Sequence, residues 1–218
     1  MNKILFEYIK KNKKIFIKLI FCMFIGIILG VVIYNISLNI EEKEIVENYL
    51  LNSKIKIKTY EIINYTELFI NVLKKNIGII IILAFSGLFI LGNILVYGIN
   101  IVKGIFVGLQ IVSICYSFNM SLNLFVLLIY VVFQNIFMIP AILIMSEKSI
   151  KFYKNITNNY FDLRLELCKQ VIIMLILLLV GIASSLIETY ISTNFLILFW
   201  KIFNKILKKT LLFWFNLI

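Results

Sequence analysis

The sequence predicts an all-α, polytopic integral membrane protein: a single membrane domain over residues 1–218 with about five transmembrane helices, or six. Three observations predict it. Apolar residues make up 62% of the chain and charged residues 15%, where soluble domains carry about 25% charged and lack the interior to hide so much apolar surface. Mean hydropathy is +1.01. The charges lie in clusters, and between them run uncharged stretches long enough to cross ~30 Å of hydrocarbon at 1.5 Å per residue.

The leader, residues 1–18, holds Lys3, Lys10, Lys11, Lys13, Lys14 and Lys18 against Glu7. Leu19 to Ile40 is then free of charge and reads as the first span. It is longer than the apolar core of a signal peptide, and no small-residue cleavage pattern follows. Residues 41–75 are the one extended polar segment, with six Lys balancing six Glu and two short amphipathic patterns. Such faces suit packing onto the bilayer surface, onto a partner, or onto the protein's own helices.

Asn76 to Val102 reads as the second span, with a tight turn around Asn100 to Lys103. Gly104 to Ser146 carries no charge and has room for two spans, joined near residues 117–123. Residues 147–169 form a mixed polar loop with five basic and three acidic residues. A fifth span begins at Gln170 and reaches at least Ile187, and Glu188 follows. The basic, aromatic tail at 195–218 either stays at the surface or returns through a sixth segment.

Lysine bias sets the orientation. The basic leader puts the N-terminus in the cytoplasm, residues 41–75 outside and 147–169 inside. The net charge of +11 comes from 21 Lys and one Arg flanking apolar runs, a pattern for topology and anionic headgroups rather than nucleic acid. The chain has no histidine, and its three cysteines, Cys22, Cys115 and Cys168, stand far apart. Those facts exclude a His-based triad and argue against structural zinc. No catalytic, cofactor or metal site is expected.

The candidate structural or interaction residues are Gly104, Gly108, Gln134, Asn135, Pro140 and Glu188. Gly104 and Gly108 share one helical face, as do Gly26 and Gly30, and let backbones approach. Gln134 and Asn135 fall near mid-span, five residues or so before Pro140, whose missing donor frees a carbonyl for a polar knot. Glu188 is either an interfacial acid or, if deep, a functional group.

Three motifs in order, Lys103-Gly104-x-x-x-Gly108, then Gln134-Asn135-x-x-x-x-Pro140-Ala141, then Ile182-Ala183-Ser184 with Glu188-x-Tyr190-x-Ser192, resemble the stage II sporulation protein M family. The resemblance covers nearly the whole chain. It departs at Thr193, where the family pattern has a proline, and in the tail from Phe195 to Ile218. The resemblance implies a non-enzymatic scaffold in endospore formation. Such a scaffold would hold two peptidoglycan-degrading partners, stage II sporulation proteins D and P, at the septal membrane for engulfment. The alternative reading of the residues is a transporter or permease subunit with Gln134, Asn135 and Glu188 along a pathway. Apolar replacement of those three would then abolish flux and spare partner binding.

Overall fold

The computed structural model describes residues 12–37, 64–117, 135–157 and 163–192, with 39, 41, 43, 131, 132 and 194. Every long element among them is helical: α1 (Lys13–Val32), α2 (Tyr65–Ser86), α3 (Gly92–Ser117), α4 (Met138–Thr157) and α5 (Leu163–Leu186). π-helical turns, Ile33–Ser37 and Ile187–Ser192, extend α1 and α5. Among the described residues four stretches are long and apolar enough to cross a bilayer: Lys13–Ile36, Tyr65–Ser86, Gly92–Val112 and Arg164–Ile191. The protein is a multi-pass membrane protein, and its lipid-facing sides show it. Phe21, Phe24 and Ile28 of α1 and Ile172, Leu175 and Leu179 of α5 are all exposed.

The helices alternate in direction. Gly26 meets Ile101 and Gly30 meets Ile105, so α1 and α3 run parallel, with α2 crossing back between them. Asn76 bonds Ser185 and Ala84 bonds Gln170, so α5 is antiparallel to α2. Leu19, Ile80, Leu83, Val96, Met138, Ile142, Met145 and Leu177 pack at the centre. In lipid this packing gains little from the hydrophobic effect; close van der Waals fit and buried polar ties hold the helices together.

Several expected boundaries are corrected. The turn between the second and third spans lies at residues 87–91, not at Asn100 to Lys103. A lone lysine and an asparagine carry no instruction to end a helix, and Asn100 finds partners in the Val96 carbonyl and Ser146. The chain turns where small residues permit it: a side chain on Gly92 would overlap the Ser86 carbonyl, and one on Gly87 would approach the Ser149 carbonyl. Likewise the helix does not end at Glu147. It runs on as α4 to Thr157, burying Glu147, Ser149, Ile150 and Phe152, and α5 begins at Leu163, before Gln170. Of the expected loop 41–75, residues 65–75 form the first turns of α2. Residues 44–63 and the tail 195–218 lie outside the described residues.

Candidate functional site

At the α1–α3 crossing four glycines face one another. A Cβ on Gly104 would overlap the Met23 carbonyl and stand 2.9 Å from the Gly26 Cα. One on Gly108 would overlap the Ile27 carbonyl and stand 3.2 Å from the Gly30 Cα. The four-residue spacing on each helix keeps the bare faces aligned over a full turn. Backbone thus meets backbone, and neither helix has a side chain there that can move aside.

The ends of α2 are tied by polar groups. The last carbonyls of a helix have no partner within it, a serious cost in lipid. Here Ser86 Oγ donates to the Leu83 carbonyl at 2.7 Å, and Ser149 Oγ of α4 donates to it as well. Gln170 Nε2 of α5 donates to the Ala84 carbonyl at 3.3 Å. At the opposite end Asn64 caps α2 by accepting from the Glu67 amide. Tyr65 stacks on Tyr190 with ring centres 5.7 Å apart and donates to Asn194 Oδ1 at 3.0 Å.

Between those ends the buried polar pairs join helices. Asn100 Nδ2 donates to the Val96 carbonyl and to Ser146 Oγ, both at 2.8 Å. Asn76 Nδ2 donates to Ser185 Oγ at 3.1 Å, and Ser185 Oγ donates to the Gly181 carbonyl at 2.8 Å. A double-mutant cycle of Asn76→Leu with Ser185→Ala is expected to give a coupling of about 1 kcal/mol, read from unfolding in bicelles; additive single effects would show that the pair contributes nothing. Glu147, fully buried, pairs with Lys151 at 2.7 Å. Lys151 in turn donates to Asn12 Oδ1 at 2.6 Å, fastening the start of α1 to α4.

The predicted residues fall at three separate places. Gly104 and Gly108 lie in the glycine crossing. Asn135 is buried and donates to the Val131 carbonyl of its own segment at 3.0 Å; Gln134 lies outside the described residues. Pro140 is exposed in the first turn of α4, where a missing N–H costs no intrahelical bond, so it frees no carbonyl in a helix interior. Glu188 is half-buried in the second π-helical turn, within coulombic range of Lys103.

Sequence reasoning missed Lys103 and Glu147 as interior residues. Lys103 reads in the sequence as part of a turn, yet it is 7% exposed in the middle of α3. The signal for Glu147 was present in its spacing to Lys151, one helical turn on. For Lys103 the signal was its place immediately before two glycines on one packed face. Among the described residues no group of three or more His, Cys, Asp or Glu could hold a metal ion.

The family model described as Stage II sporulation protein M matches residues 19–193, from the second turn of α1 to the end of the second π-helical turn. No curated protein and no solved structure matches the chain.

Proposed function

Because the chain belongs to the stage II sporulation protein M family, and is thus a sporulation-related multi-pass membrane protein, we propose that it is a non-enzymatic scaffold. In this reading it positions peptidoglycan-degrading partners, stage II sporulation proteins D and P, at the septal membrane during engulfment. The family match carries the proposal. The arrangement of α2 supports it. A scaffold must present a fixed surface, and the first turns of α2 expose Thr66, Glu67, Ile70, Asn71 and Lys74. That surface is braced by the Asn64 cap and by Tyr65 on Tyr190 and Asn194. In the orientation set by lysine bias it faces the wall.

The test is capture and localisation in sporulating cells. Deleting the protein should disperse both hydrolases from the septum. Glu67→Lys combined with Asn71→Trp should lower their co-purification with the full-length protein about tenfold, the scale of losing an interface anchor. Hydrolases that stay at the septum in the deletion strain would end the scaffold reading.

A further inference from the structure

Beyond any scaffold role, α2 and α3 enclose a groove whose chemistry is that of an amphiphile. Its volume is about 570 Å³, and its walls are Ile79, Ile82, Leu95, Ile99, Val102 and Phe106, with Gly98 in the floor. Two lysines, Lys75 and Lys103, are its only charged lining among the described residues. Lys75 precedes Ser86 by 11 residues and Lys103 follows Gly92 by 11, so both stand at one level, about 16 Å from the turn. Ile82 and Leu95 lie nearer the turn, leaving an apolar channel about 11 Å long below the lysines.

The two cations are poorly matched by the protein. Among the described residues Lys103 donates no hydrogen bond and makes no ion pair at contact distance, although it is 7% exposed. It lies within coulombic range of Lys75, a like charge, and of Glu188. Lys75 stands over the Phe106 ring at 5.1 Å. An ammonium in apolar surroundings needs an anion or an acceptor. Above Lys75, α2 exposes Thr66, Glu67, Ile70, Asn71 and Lys74; below it, Ile79 and Ile82 face the groove. The groove is therefore polar at the lysine pair and apolar from there to the turn.

We propose that the groove binds one anionic phospholipid, its phosphate on Lys75 and Lys103 and an acyl chain running toward Ile82 and Leu95. A bare anion would leave the channel empty, and a zwitterionic lipid would bring its own cation to two others. The full-length protein in detergent is titrated with phosphatidylglycerol or with phosphatidylcholine of the same chains, and retained lipid is read by native mass spectrometry. Phosphatidylglycerol should be retained roughly tenfold better, and Lys75→Gln with Lys103→Gln should bring the two lipids to parity. A Cβ on Gly98 meets only open space, so Gly98→Leu should fill the channel and release both lipids from a protein that keeps both lysines. Equal retention of the two lipids by the unaltered protein would overturn the proposal, as would a preference that survives the double glutamine change or undiminished binding in Gly98→Leu. Displacement of phosphatidylglycerol by excess inorganic phosphate would also overturn it, by showing a free-anion site.

Discussion

Gly104→Leu is expected to unseat α1 from α3, with a loss of about 3 kcal/mol or more, the upper end of overpacking costs. The leucine Cβ would overlap the Met23 carbonyl and press on the Gly26 backbone. Most overpacked sites recover by rotamer changes in neighbouring side chains. This one cannot, because its neighbours are main-chain atoms of a helix fixed by its own hydrogen bonds. The two helices would have to separate, and the packing of Leu19 against the central core would go with them. Unfolding by steric trapping in bicelles measures the effect. The control is Gly78→Ala on α2, where a Cβ meets nothing within 4 Å. It should be neutral, or stabilise by about 0.5–1 kcal/mol through a stiffer unfolded chain. Equal losses for the two variants would mean that the α1–α3 crossing is not where the glycines act.

A second large effect is expected at Lys151, and most of it should disappear in the double variant. Lys151→Ala removes the cation from Glu147, a carboxylate with no exposed surface, and also releases Asn12. Breaking a buried pair from one side costs about 3–5 kcal/mol, because the remaining charge has lost its compensation. Replacing both members, as in Glu147→Leu with Lys151→Leu, should recover most of that loss, since neither desolvated charge remains. Melting of the purified protein in detergent distinguishes the two. A double variant no better than Lys151→Ala would show that the pair is not coupled and that the fastening of α1 through Asn12 dominates.

The glycine crossing was readable because its cause is local. Four-residue spacing places Gly26 with Gly30, and Gly104 with Gly108, on single faces whatever the rest of the chain does. Which face meets which is not local. Packing within the subunit is the better reading of each pair against a seam between subunits, and the parallel course of α1 and α3 brings the two pairs together. The amide groups followed the same division. Asn100 reads in the sequence as an interruption, whereas Ser146, 46 residues away, makes it an interior residue.

By itself, then, the sequence determined the solvent of this protein and its class of fold. Long uncharged runs have no stable place in water, and in lipid a backbone must satisfy its own hydrogen bonds, which leaves the helix. The tertiary structure decided where the helices turn and which charges lie inside them. A charged residue carries no fixed instruction to break a helix or to leave the membrane; its cost depends on the surroundings that the packed helices give it. Lys151 and the α4 packing keep Glu147 inside, and the α2–α3 groove holds Lys103 at mid-helix, placements that no count of residues along the chain contains.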